Sequence, residues 1–392
     1  MRPVSARPAR VLFVASPFGW GGSEKHLEDL ITRADSTRID PSILCLGPDV
    51  YTASFLRRGL AGVPVHEARA STFREFRRRF TTHRPQAIVF VNGKLDLFPW
   101  QAYAAARVCA RRVIAIEHLQ AEPPVDPPAA HGLRGRLRRL VGWRARDMRR
   151  IRAVGYLSHQ TVCVSNAVRR TLVETYGYPA SRTTIVYNGI DVKHYRPSGR
   201  SREEAREALG IPRDAEVLVD IARLARLKRL DLLLQALVVL SQQRPTTLRC
   251  VIVGQGPLED ALKAQANALG LADTVAFVGH HDDPRIFLEA ADVYVTSSER
   301  EGFGLALVEA MAYELPCVAT DIGGHDEVLA DRATGVLVPP GSPEALAHGI
   351  QRVLDHPAEA RAMGIAARRA VEARFDIERM VAQLVDIVLA RA

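Results

Sequence analysis

Along the whole chain, short apolar runs rich in Val, Ile and Leu alternate with stretches whose apolar residues recur at helical spacing. That alternation is the signature of α/β folds built on parallel sheets. Two sets of strands are expected. The first comprises Arg10 to Ser16, Ser42 to Leu46, Ala87 to Val91, Arg112 to Ile116, Thr161 to Val164 and Thr184 to Tyr187. The second comprises Val217 to Ile221, Arg249 to Val253, Val275 to Val278, Asp292 to Thr296, Cys317 to Thr320 and Gly335 to Val338. Between the sets lies the polar, turn-rich segment Asn188 to Ser201, which predicts the domain boundary. At 392 residues the chain exceeds the roughly 250 to 300 at which single cores stop growing. Two doubly wound domains with a cleft between them are therefore expected, 1–190 and 191–375.

In open parallel sheets, ligands bind beyond the carboxyl ends of the strands, and here those ends bear unusual residues. Strand one runs into Gly19-Trp20-Gly21-Gly22-Ser23-Glu24, where small residues let the backbone approach a ligand closely. The strand near residue 115 ends in Glu117-His118. In the second half, one strand leads to Arg223 and Lys228, the next to Gly254-Gln255-Gly256, and another to the loop before Glu301. The run EGFGLALVEAMA, Glu301 to Ala312, is the most informative of these. It orders strand, glycine-rich loop and helix, so free backbone N–H groups and a positive helix end face a ligand, as suits a diphosphate. Glu301 precedes the helix and Glu309 lies more than a turn inside it, so each can accept hydrogen bonds from a separate set of hydroxyls. An amphipathic helix with two solvated glutamates would show the same spacing; the Gly302-Phe303-Gly304 insert favours a ligand loop. Arg223 and Lys228 near a helix start are unfavourable for the helix dipole, a penalty that a bound diphosphate would reverse.

Composition narrows the class. An apolar fraction of 47% and a mean hydropathy of -0.04 describe a globular chain, and no window holds the roughly 18 uninterrupted apolar residues of a spanning helix. Arg2, Arg7 and Arg10 precede the apolar run Val11 to Ala15 as in a signal peptide, but the run is short and Pro17 and Gly19 follow it; a first strand is expected instead. The five cysteines, Cys45, Cys109, Cys163, Cys250 and Cys317, are scattered singly and are expected as buried, reduced thiols. No Cys-x-x-Cys or His-x-x-x-His pair occurs, so no structural zinc is expected. The net charge of +9 favours anionic partners.

Taken in order, the motifs GGSEKHL (Gly21 to Leu27), IEH (Ile116 to His118), VSNAVRRTL, YNGID (Tyr187 to Asp191), ARLARLKRLDLLLQA (Ala222 to Ala236), VGQGPLEDAL (Val253 to Leu262), EGFGLALVEAMA, GGHDEVL (Gly323 to Leu329) and TGVLVPPG resemble the retaining family 4 glycosyltransferases (glycosyl transferases group 1). The resemblance covers nearly the whole chain. It implies the two-domain GT-B fold, an acceptor-binding domain 1–190 and a donor-binding domain 191–375, with the final helix Ile377 to Ala390, within 376–392, crossing back to the first domain. A hinge near residue 190 and near the start of that helix would close the cleft.

The resemblance also implies roles. Arg223 and Lys228 would hold the diphosphate of a UDP- or GDP-sugar, and the amides around Gly302, Phe303, Gly304 and Leu305 would contact its phosphate and sugar. Glu301 would bind sugar hydroxyls and Glu309 the ribose, with Gly254 and Gly256 also at the donor. Gly21 and Gly22 would face the phosphate, and His118 would stand beside the reacting sugar and the hydroxyl acceptor. The leaving phosphate oxygen would take the acceptor proton, so neither a protein base nor a metal or other cofactor is implied. Where the family often has Lys-Gly, this chain has Lys228-Arg229. His280-His281-Asp282-Asp283 falls where the family places its nucleobase pocket, which argues against a metal site.

Arg134 to Arg152 is dense in arginine, with Leu133, Leu137, Leu140, Val141, Trp143, Met148 and Ile151 interleaved, after the proline-rich loop Pro123 to Pro128. Such a helix (133–152) is open to two readings: docking on an anionic leaflet to receive a polyprenyl-diphosphate-linked or other glycolipid acceptor, or packing its apolar stripe on the first sheet. Nucleic acid is disfavoured, since no recognition fold accompanies the arginines. The expected setting is the cytoplasm, with or without attachment to the inner face of the plasma membrane, and bacterial polysaccharide or glycoconjugate synthesis. A sugar-nucleotide epimerase of similar fold and an inactive nucleotide-binding scaffold stay open as alternatives.

Overall fold

The computed structural model describes residues 7–15, 22–46, 57, 59–60, 62–92, 98–118, 143–244 and 247–390. The chain forms two compact units, one of residues 1–188 with 378–392 and one of residues 189–377.

The first unit is a seven-stranded sheet in the order β3-β2-β1-β4-β5-β6-β7, every pairing parallel. Its strands are β1 (Ala9–Ala15), β2 (Ile39–Leu46), β3 (Val65–Ala68), β4 (Ala87–Asn92), β5 (Arg112–Glu117), β6 (Gln160–Cys163) and β7 (Thr183–Ile185). All six residues of β4 are buried, as a central parallel strand covered on both faces must be. Strand β3, the sequence VHEA, was not expected. It lies at the sheet edge with no fully buried residue, so it lacks the apolar run that marks a parallel strand.

The terminal helix Ile377–Leu389 belongs to this unit from Glu378 onward. Met380, Val381, Leu384, Val385 and Val388 are buried along one stripe. Arg33 pairs with Glu378 at 2.9 Å and Arg38 with Asp386 at 2.8 Å, while Arg112 Nη2 donates to the Ile387 carbonyl at 2.9 Å. Exposed pairs of this kind contribute about 0 to 1 kcal/mol, so the apolar stripe holds the helix.

The second unit is a six-stranded parallel sheet in the order β10-β9-β8-β11-β12-β13. Its strands are β8 (Glu216–Ile221), β9 (Leu248–Val253), β10 (Val275–Gly279), β11 (Val293–Thr296), β12 (Cys317–Thr320) and β13 (Val336–Val338). In both sheets the order reverses beside the first strand of the unit, the topological switch point at which doubly wound folds bind ligands. In the second unit that point lies between β8 and β11.

The two connections between units run side by side. Ile190 pairs with Asp376 in a parallel bridge, with Ile190 N donating to the Phe375 carbonyl at 2.9 Å and Ile377 N to the Ile190 carbonyl at 3.1 Å. A Cβ on Gly189 would stand 2.6 Å from the Ile377 Cα, so only glycine admits this approach.

Candidate active site

At the switch point of the second sheet, β8 leads into Arg223 and the single turn Arg226–Lys228, while β11 leads into Ser297 to Glu301. The two segments are tied together. Ser297 Oγ donates to the carbonyls of Lys228 and Arg229, each at 2.9 Å, and Glu299 N to the Leu227 carbonyl at 2.8 Å. This lashing brings the Lys228 ammonium onto Glu301 Oε1, the same oxygen that accepts from Ser298 Oγ at 3.0 Å. Thr320 Oγ1 in turn donates to the Ser298 carbonyl at 2.6 Å. Burial alone would raise the Glu301 carboxyl, but the Lys228 ammonium and the Ser298 hydroxyl outweigh it and hold it below its usual range. Arg223 is exposed and no hydrogen-bond or ion-pair partner is seen for its guanidinium among the described residues.

The glycines of this region have identifiable jobs. Gly304 caps the helix Leu305–Ala312 at φ 88°, a left-handed conformation that favours glycine. A Cβ there would also stand 3.1 Å from His325 Cδ2. Gly254, at φ 139°, and Gly256 let the loop after β9 press on the Arg223 loop: added Cβ atoms would stand 2.0 Å from the Ala222 carbonyl oxygen and 2.4 Å from that of Leu224. Gly302 is buried. The Phe303 ring packs edge-on to Phe375 at 5.2 Å in the core, so the ring is turned to the interior. Leu305 opens the helix, whose first amides have no partner within it. Glu309 is 7% exposed within that helix.

Arg229 occupies a left-handed position, φ 48° and ψ 38°, which explains why glycine suits this place in related motifs. Its guanidinium is held by Asp231 at 2.9 Å. Three further side chains complete the site and were not singled out from sequence: Ser298, His325 and Asp220. His325 is 1% exposed and its Nδ1 lies 3.0 Å from the Thr320 carbonyl. That carbonyl can only accept, so Nδ1 bears the proton; burial lowers the ring and keeps it neutral. The GGHDEVL motif was the available signal for it. Asp220 is buried at the end of β8, where sequence alone shows only an acid inside an apolar strand.

In the first unit, His118 follows β5 and is 8% exposed. Its ring meets that of His26, on the helix Gly22–Arg33, edge-on at 4.6 Å. Burial lowers His26 to about 4, and burial together with His26 lowers His118 further below its normal value, so both rings are neutral near pH 7. Glu117 is driven up to about 8 by burial, against the opposing hydrogen bond from Asn92 Nδ2 at 2.6 Å. Of the glycine loop, Gly22 begins the helix, and Gly21 lies outside the described residues.

Residues 119–142 also lie outside the described residues, with most of the arginine-rich segment and its proline-rich approach. The described part is the helix Trp143–Leu157, in which Val154 is buried and Gly155 sits against the Tyr178 ring, while Arg149, Arg150 and Arg152 are exposed. Four cysteines are buried, whereas Cys109 is only partly so; none is in a disulfide. In the His280 to Asp283 loop, Asp283 is engaged by Arg285 at 2.5 Å and His280 by Asp282 at 3.2 Å. Among the described residues, no group of three or more His, Cys, Asp or Glu is placed to hold a metal ion.

Comparison with known proteins identifies the family and the fold. Residues 201–370 match the family described as Glycosyl transferases group 1, and residues 20–194 match Glycosyltransferase Family 4. The putative glycosyltransferase EpsD of Bacillus subtilis is 32% identical over 239 residues, 60% of this chain and 62% of that protein. A D-inositol 3-phosphate glycosyltransferase of Kineococcus radiotolerans is 36% identical over 230 residues, 53% of this chain and 52% of that protein. The matches thus span between about half and two thirds of these relatives' own length. Among solved structures, Anabaena HepE in complex with UDP superposes with a TM-score of 0.80 at 21% identity, covering 96% of this chain and 99% of that one. WaaG, a glycosyltransferase involved in lipopolysaccharide biosynthesis, gives 0.69 at 17% identity, covering 97% and 100%. The chain belongs to family 4 of the glycosyltransferases, and its two parallel-sheet domains are those of the GT-B fold.

Proposed function

We propose that the chain is a glycosyltransferase that moves a hexosyl group from a UDP- or GDP-sugar to a hydroxyl acceptor with retention of configuration, without a metal or other cofactor. The observation that carries this reading is the Glu301 carboxylate, kept ionised by Lys228 and Ser298 on Oε1, beside the exposed Arg223 at the switch point of the second sheet. Glu301 can accept from sugar hydroxyls, and Glu309, deeper in the helix, from the ribose. Arg223, Lys228 and the opening amides of the helix Leu305–Ala312 supply positive charge where the leaving diphosphate gains negative charge, the arrangement that stabilises such transition states. The leaving phosphate oxygen takes the acceptor proton, and His118, neutral and buried, orients the acceptor hydroxyl. Anabaena HepE was solved with UDP and with UDP-glucose, which favours a uridine donor over a guanosine one.

The acceptor side draws on charge. The first unit has 32 Lys and Arg against 16 Asp and Glu, net +16, and the second 21 against 28, net -7, which together make the +9 of the chain. An acceptor with an anionic group, such as a polyprenyl-diphosphate-linked sugar or another glycolipid, fits that excess. Attachment to the inner face of the plasma membrane through 133–152 follows from the same charge; among the described residues, no helix is long and apolar enough to cross a membrane. Bacterial polysaccharide or glycoconjugate synthesis is the corresponding setting.

Incubating the protein with UDP- and GDP-sugars and a glycolipid acceptor extract tests the proposal. Released nucleotide together with a glycosylated product supports transfer. Epimerised donor would replace it with an epimerase, and nucleotide binding without turnover would replace it with a scaffold.

A further inference from the structure

Strand β8 ends in a side chain for which the proposed donor site has no use so far. Asp220 is 1% exposed, and neither carboxyl oxygen has a hydrogen-bond partner among the described residues. An ionised carboxylate buried in this way is costly, a protonated one far less so. The groups that face it are Cys250 on β9, Tyr294 on β11, and Lys228 and Glu301 from the two loops. Burial pushes the Cys250 thiol and the Tyr294 hydroxyl far up, so both stay neutral and only Lys228 and Glu301 face Asp220 with charge. His325 faces Glu301 in turn, and is neutral.

One ammonium therefore serves two carboxyl groups. In the unliganded protein it is engaged by Glu301, and Asp220 is left without a direct partner among the described residues. Burial drives the Asp220 carboxyl up to about 7, Lys228 opposing and Glu301 reinforcing the rise. An incoming diphosphate competes for the same ammonium. Once Lys228 turns to phosphate, Asp220 loses the nearby cation that favours its ionised form while Glu301 and the phosphate disfavour it.

We propose that Asp220 is a positioning residue of the donor site, protonated whenever Lys228 engages the donor diphosphate, so that Glu301 keeps its charge for the sugar without a second carboxylate behind it. The proposal rests on the donor reading above. Donor binding then takes up a proton from solvent wherever free Asp220 is ionised.

Isothermal titration calorimetry with UDP-glucose and GDP-mannose as probes, whose diphosphates do not titrate near neutrality, tests this on the wild type and Asp220→Asn. For the probe that binds, wild-type affinity is expected to be level below about pH 7 and to fall by up to about tenfold per pH unit above it. Measured in buffers of different ionisation heat, binding near pH 8 takes up as much as about one proton in the wild type and none in Asp220→Asn, whose affinity is level. Equal pH dependence and equal proton uptake in the two proteins would overturn the proposal while leaving the donor reading intact. Failure of both probes to bind the wild type at acid pH would remove the donor reading and the proposal together. Asp220→Ser, a smaller neutral replacement with the same expected outcome, serves if Asp220→Asn does not fold.

Discussion

Lys228 and Ser298 both bind Oε1 of Glu301, and no hydrogen bond to Oε2 is seen among the described residues. The carboxylate is thus fixed by one oxygen and offers the other, while the cation that fixes it is the one a diphosphate would draw away. Glu301 is 13% exposed at its side chain and Lys228 26%, so both can be reached from solvent.

Removing either cation should weaken donor use. Arg223→Ala and Lys228→Ala are each expected to cost about 1.5 to 3 kcal/mol of donor affinity or transition-state stabilisation, the range for hydrogen bonds to charged groups. Steady-state kinetics with the preferred nucleotide sugar measure this, and unchanged kcat/KM in either variant would take that residue out of the site.

The two glutamates should separate in kinetics. Glu301→Gln is expected to lower kcat with little change in nucleotide affinity, and Glu309→Gln to weaken binding of the free nucleotide. Parallel changes of kcat and KM in both variants would contradict the division between sugar and ribose.

Glu117 should make stability fall with pH. Its carboxyl rises from 4.5 to about 8 on folding, so the native state binds the proton more tightly than the unfolded chain. The contribution is fully present below pH 4.5 and is lost as pH rises toward 8, by about 1.4 kcal/mol per unit at most. Glu117→Gln, which keeps a partner for Asn92, should therefore gain on the wild type by a few kcal/mol between about pH 4 and 8 in urea denaturation. A constant difference between the two proteins across that window would show that Glu117 is ionised in the native state.

Arg229 pays for its left-handed backbone. Arg229→Gly is expected to be neutral or mildly stabilising, since relief of about 1 kcal/mol offsets the partly exposed Asp231 pair and the added freedom of the unfolded chain. Arg229→Val, branched at Cβ, should cost about 1 to 2 kcal/mol. Equal stability of the Gly and Val variants by thermal denaturation would deny the conformational origin of the effect.

The excess charge of the first unit should be visible at a membrane. Sedimentation with anionic vesicles is expected at low salt, with release as ionic strength rises, because each basic residue near the surface contributes about 1 kcal/mol and is screened within a Debye length. Absence of binding at low salt would end the case for a peripheral location.

The sequence by itself determined the element order, because the central parallel strands are buried on both faces and must appear as unbroken apolar runs. All twelve runs picked out in this way overlap a strand of the structure, and the one omission among the described residues, β3, is an edge strand with charged and half-exposed residues. The motif residues Arg223, Lys228 and Glu301 were legible because glycines and charges at strand ends stand out against apolar runs. Only the tertiary structure decided their partnerships. The Lys228–Glu301 pair joins residues 73 positions apart, through loops that meet because β8 and β11 are neighbours in the sheet. The same neighbourhood turned Asp220 from one acid in a strand into a buried carboxyl with no hydrogen-bond partner among the described residues, and made Gly254 and Gly256 places where one loop rests on another. Pairing across a sheet is set by which strands lie side by side, a choice made by the packing of the whole domain and not by local spacing.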